Sequence, residues 1–149
     1  MRLADEAPAA FIDFPEDPET RMILRTHFVI AVEDLARTCA FYRDALGFAA
    51  REIGDPGWRM LERDGCRIMA GECRGAPQAS ETGNHSYFAY LVVDDVDAEF
   101  ARVHASGADL LKRVRDEPWG MREFGLRTCD GHRIMVGQEI GPRGGAGKG

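Results

Sequence analysis

Asp64-Gly65-Cys66-Arg67-Ile68-Met69-Ala70-Gly71 and Asp130-Gly131-His132-Arg133-Ile134-Met135-Val136-Gly137 are one eight-residue phrase used twice, identical at six positions. Each copy reads as a tight Asp-Gly turn feeding a short strand that carries Ile and Met on opposite faces. A second echo lies upstream of each. Val32-Glu33-Asp34-Leu35 matches Val93-Asp94-Asp95-Val96 at an offset of 61, against 66 for the Asp-Gly phrases. The chain therefore holds two copies of a small module, the second longer by about five residues in its interior. A period near 60 fits a duplicated module and not a solenoid repeat.

Between the echoes the patterns are regular. Residues 27–32 are β-branched and aromatic, as a strand requires. Glu33-Asp34 then offers an N-cap and a negative first turn, and Leu35, Cys39, Tyr42 and Leu46 recur at helical spacing up to Gly47. Strands follow over residues 48–53, 58–63 and 66–70, and a polar linker with Gly75, Pro77 and Gly83 separates the modules. The order then repeats. A strand over 87–93 leads to an Asp95 cap and a helix carrying Val96, Phe100 and Val103, which stops at Gly107. Strands are expected over 109–114, 122–128 and 132–136, with an extended turn over 115–120. The fold class is α+β: two tandem βαβββ modules, 25–71 and 85–138, forming a curved eight-stranded structure with the helices on its outer face. Residues 1–21 form an acidic arm whose apolar patch is Phe11, Ile12 and Phe14. Residues 22–140 form the domain, and 141–149 a flexible tail.

Composition narrows the function. The net charge of -6 is concentrated in the arm, which has six acids against one Arg, so residues 21–140 carry about -3. No basic stripe is left to hold phosphates, which argues against a nucleic-acid partner. No stretch approaches the ~18 apolar residues of a membrane span, and the N-terminus lacks the basic and apolar pattern of a signal peptide. Cys39, Cys66, Cys73 and Cys129 show no metal-finger spacing, so they read as reduced thiols in a cytoplasmic protein.

Both the order of elements and their wording resemble the vicinal oxygen chelate superfamily, which holds glyoxalase I, the extradiol dioxygenases and the fosfomycin- and bleomycin-resistance proteins. The residues that carry the resemblance are His27 to Leu35, Phe41-Tyr42-Arg43-Asp44-Ala45-Leu46-Gly47-Phe48 and Val93-Asp94-Asp95-Val96-Asp97. Glu117-Pro118-Trp119-Gly120-Met121-Arg122-Glu123-Phe124 is most similar to the bleomycin-resistance group. There the Pro-Trp-Gly turn supplies an aromatic wall to a ligand groove shared by two subunits, and the resemblance implies that role for Trp119.

Enzymes of that superfamily hold one divalent ion with a residue near the start of the first strand and another on the last strand of each module. The matching positions here are His27, Met69, Phe88 and Met135. Only His27 could ligate a hard or borderline cation, whereas a catalytic site needs about three protein donors. His85, Glu72 and Glu139 are misplaced by strand parity or by distance. The expectation is therefore a protein without catalytic residues, metal or cofactor, which binds an aromatic or cationic small molecule in a groove at a homodimer interface. His27, Trp58, Met69, Phe88, Trp119, Arg122 and Met135 are expected to line it. Arg122 and Glu123 are strand neighbours facing opposite ways, and Arg122 is assigned to the groove. The rival is a glyoxalase, dioxygenase or isomerase built on a divalent metal at His27.

Overall fold

A computed structural model describes residues 23–82 and 87–141. The expected arm over 1–21, the tail beyond 141 and His85 lie outside the described residues. The first module runs β1 (Phe28–Val32), α1 (Leu35–Leu46), β2 (Ala49–Glu52), β3 (Trp58–Arg63) and β4 (Cys66–Glu72). The second runs β5 (Tyr87–Val92), α2 (Val96–Ala105), β6 (Asp109–Glu117), β7 (Met121–Arg127) and β8 (Arg133–Glu139). The eight strands form two sheets of four, ordered β1-β4-β3-β2 and β5-β8-β7-β6. In each, the first and last strands of the module run parallel and the other pairs antiparallel.

The helices start where the sequence places their caps. Asp34 accepts from the Arg37 N–H and Asp95 from the Ala98 N–H, each at 3.1 Å. The strand that ends each module closes a further donor of the same helix. Glu72 Oε2 accepts from the Leu35 N–H at 3.0 Å, and Gln138 Oε1 from the Val96 N–H at 2.9 Å. These two residues are 66 apart, the period of the repeated phrase, so the duplication preserved a helix cap along with the strand.

The phrase itself shows the two-residue alternation of a strand. Ile68 and Ala70 in β4, and Ile134 and Val136 in β8, turn into the core, while Met69 and Met135 face the other way. One apolar cluster holds buried residues of both modules, Tyr42, Leu46 and Leu61 with Val103, Phe124 and Leu126 among them. Helices α1 and α2 touch, so the modules join through their helix-covered sides. Thr38 on α1 reaches the β7–β8 turn, donating to Asp130 Oδ2 at 2.6 Å with both residues buried. Arg63 ties the end of β3 to Glu99 on α2 at 2.6 Å.

One element differs from expectation. Residues 115–117 extend β6 where a turn was expected, making it nine residues long against four for β2. The extra length of the second module therefore lies in this strand. Its register against β7 shifts between Leu110 and Lys112 and again between Lys112 and Arg115. Such bulges let a strand of unequal length keep its apolar face on the core. Among the described residues no helix is long and apolar enough to cross a membrane.

Candidate ligand-binding site

The sheet faces turned away from the helices carry what the core does not use. On the second sheet, Tyr90 of β5 stands opposite Met135 of β8 in the register. Its ring lies across Gly137, and a Cβ at that glycine would come 3.0 Å from Tyr90 Cζ and closer still to its hydroxyl oxygen. The hydroxyl continues to β7, where it donates to Glu123 Oε1 at 2.5 Å. Trp119 Nε1 donates to the same oxygen at 3.1 Å, and Lys112 Nζ to Oε2 at 2.7 Å. Lys112 also pairs with Glu117, which accepts from Arg115 Nε at 2.8 Å.

Glu123 is thus a buried carboxylate, 2 % exposed, whose two oxygens accept three hydrogen bonds. Burial by itself raises its pKa, but the donors Lys112, Tyr90 and Trp119 outweigh it and leave the carboxyl below its ordinary value. The Tyr90 hydroxyl moves the other way, raised by burial and by the adjoining Glu123 charge. Trp119 itself is 62 % exposed, with Lys112 Nζ 5.5 Å from its ring centre. Beside this wall, Tyr87, Phe88, Ala89, Tyr90 and Met135 border a depression of about 340 Å³.

The first sheet repeats the theme with a different ring. Trp58 stands opposite Gly71 in the register and lies so close that a Cβ there would be 2.7 Å from the indole. In both modules the glycine that ends the repeated phrase is therefore covered by an aromatic side chain, which explains why that position stays without a Cβ.

Trp58 and Met69 accordingly stand on the first sheet's free face, and Trp119 and Met135 on the second's. Among the described residues no hydrogen bond or ring contact joins the two sets. His27 precedes β1 with its Nε2 buried and unpartnered. The structure puts Arg122 elsewhere, and it shares Phe88 between the depression and the core. Phe88 sits at the β5 bulge, where the register shifts between Tyr87 and Ala89, and packs against the core. Its ring meets Phe28 at 6.0 Å and His132 at 5.3 Å, both edge-on. Arg122 lies on the helix side of β7, bound to Asp97 of α2 and to Asp116 at 2.9 Å each. Its neighbour Glu123 takes the free face instead. Glu123, Tyr90, Lys112 and Glu117 are the residues that sequence reasoning missed. The signal for the first was its even spacing with Gly125 and Met121 along β7.

The donor set does not fit the divalent ion of the superfamily's enzymes. Met69 and Met135 offer only thioethers, Phe88 is no ligand, and Glu72 is engaged by Leu35 and Arg74. Among the described residues no three His, Cys, Asp or Glu side chains converge as a metal site requires.

A family model described as Glyoxalase/Bleomycin resistance protein/Dioxygenase superfamily matches residues 25–136. The chain belongs to that superfamily. Solved members and look-alikes share its fold. TioX from Micromonospora is 27% identical over 77% of this chain and 99% of its own, with a TM-score of 0.60. A protein of unknown function from Agrobacterium tumefaciens is 26% identical over 83% of this chain and 100% of its own, with a TM-score of 0.65. A glyoxalase/bleomycin resistance protein/dioxygenase family enzyme from Burkholderia phytofirmans is 19% identical over 76% of this chain and 97% of its own, with a TM-score of 0.62. No curated protein matches the sequence.

Proposed function

We propose that this superfamily member is a metal-independent small-molecule-binding protein, which sequesters an aromatic or cationic ligand in a groove completed at a homodimer interface. The observation that carries the reading is the wall built by Tyr90, Glu123 and Trp119 beside Met135, the position at which the superfamily's enzymes place a metal ligand. A soft apolar side chain flanked by aromatic rings holds a ligand by dispersion and stacking, and the carboxylate and ammonium beside it, Glu123 and Lys112, are paired with each other.

The dimer reading is supported by unpaired strand edges. β1 and β5 each have a neighbour on one side only, and Val29, Tyr90 and Val92 are 63%, 44% and 61% exposed. Apolar edge strands of that kind are ordinarily covered by a partner. The four free thiols suit a reducing cytoplasmic setting, and burial pushes those of Cys39, Cys66 and Cys129 up, the last to about 11.

The test is fluorescence titration, since Trp58 and Trp119 are the chain's two tryptophans. Planar aromatic ligands should quench the emission, and Trp119→Phe should remove most of the change. No response across neutral, anionic and cationic aromatics would defeat the proposal, as would stoichiometric Mn, Fe, Ni or Zn in the purified protein that is lost with His27→Ala.

A further inference from the structure

We infer that residues 11–21 of the chain seat in a groove between the two modules and cover the β3–β4 turn, as the linker covers the β7–β8 turn. The second module shows what a covered turn looks like. The linker's short helix, Ala79–Thr82, lies on it: the Ala79 N–H donates to the Asp130 carbonyl oxygen at 3.2 Å, and a Cβ on Gly131 would come 2.9 Å from both N and Oγ of Ser80. Asp130 is buried there. The first module carries the same Asp-Gly turn, bare among the described residues. A Cβ on Gly65 would meet nothing within 4 Å, and the Asp64 side chain is 94% exposed.

The duplication names the segment that belongs on the bare turn. The offset of 61 that carries Val32 to Val93 also carries residues 18–21 to the linker helix, and Glu19 to Ser80. The course of the chain agrees. Leu24 and Arg25 already line a groove of about 890 Å³, together with the Asp64-Gly65 turn and Leu91 and Val93 at the end of β5. Phe28 and Phe48 add aromatic surface to it, and Ile23 and Leu24 are exposed apolar residues where the arm joins. Phe14 precedes Leu24 by ten residues, and ten extended residues reach up to about 33–36 Å. Phe11, Ile12 and Phe14 can therefore turn back onto the apolar walls. A tethered segment meets its site at an effective concentration of order millimolar, which selects the chain's own arm over that of a second copy. Charge does not decide the matter. Arg63 and Arg67 already hold Glu99 and Glu62, and Asp64 and Asp94 share the walls with them.

A cross-link in the full-length chain tests the placement. Glu19→Cys with Gly65→Cys puts thiols where Ser80 and Gly131 meet in the other module, a closeness that suits the Cβ separation of about 3.5–4.5 Å in a disulfide. Cys66→Ser keeps the adjoining thiol out of exchange. Copper-catalysed oxidation should close a bond between positions 19 and 65 of one chain, about ten-fold or more faster than for Arg2→Cys with Gly65→Cys. Equal rates for the two pairs overturn the inference. So does a bond that joins two chains, which makes a second copy the occupant. Amide exchange decides the matter if those variants do not fold. In the full chain, Phe11→Ser with Ile12→Ser and Phe14→Ser should raise exchange at residues 64–67 by about ten-fold and leave residues 129–132 unchanged. No change at residues 64–67 overturns the inference. Neither result bears on the ligand wall of the second sheet.

Discussion

Gly137 lacks a side chain where Tyr90 needs the space, and Gly71 lacks one where Trp58 does, so each glycine sets the seat of an aromatic ring. Gly137→Ala should therefore push Tyr90 off the sheet and break its bond to Glu123, with a loss of about 1–3 kcal/mol typical of overpacking. Urea midpoints check the stability, and Trp119 emission should change because Glu123 then loses one of its donors. Glu123 also predicts a pH dependence. Its carboxyl is held below its ordinary value in the folded chain, so the unfolded chain binds more protons in the acid range. The stability it contributes is fully present above the unfolded carboxylate value of about 4.3 and is lost as pH falls through the lower folded value. Glu123→Gln should accordingly be less stable than the parent at neutral pH, with the gap closing below about pH 4. A gap constant down to pH 2 would show that the carboxylate charge is not what stabilises the wall.

At the scale of elements, the two copies of the phrase serve different ends. Asp64 starts β4 from a turn in which its side chain is 94% exposed, whereas Asp130 is buried between Thr38, Arg37 and Cys129. The second copy thus fastens α1 of one module to the β7–β8 turn of the other. Thr38→Val removes the 2.6 Å donor to a buried carboxylate, and such losses cost about 1–3 kcal/mol. Chemical denaturation should show that loss, and Arg37, half exposed, should not make it good. Asp34→Ala and Asp95→Ala should each cost about 1 kcal/mol, and the two should add because they lie on separate helices.

At the scale of the molecule, the free edges of β1 and β5 carry exposed apolar side chains, Val29 and Val92 among them. A lysine at either Val29 or Val92 places a charge on an edge that the proposed partner would cover. Sedimentation velocity should find a dimer for the parent and a shift towards monomer for Val29→Lys and Val92→Lys, with helical content unchanged. A parent protein that sediments as a monomer at tens of micromolar would remove the shared groove from the proposal and leave the one-chain wall of Tyr90, Glu123 and Trp119 to act alone.

The residues alone determined the duplication, the order of strands and helices, the capping aspartates and the inward and outward faces of β4 and β8. These are local properties: a repeated phrase, a two- or near-four-residue period and a short polar side chain before a helix need no knowledge of distant partners. Only the tertiary structure decided which of two strand neighbours meets a ligand. Arg122 and Glu123 alternate by necessity, but the side on which α2 lies, with Asp97 waiting for the guanidinium, fixes Arg122 to the helix layer and Glu123 to the open face. A bulge at Phe88 shares its ring between the core and the depression, and Tyr90 was brought onto the open face by the pairing of β5 with β8, which are more than 40 residues apart. Register and bulges depend on how whole strands satisfy their neighbours' backbone groups, and no short window of sequence contains that information.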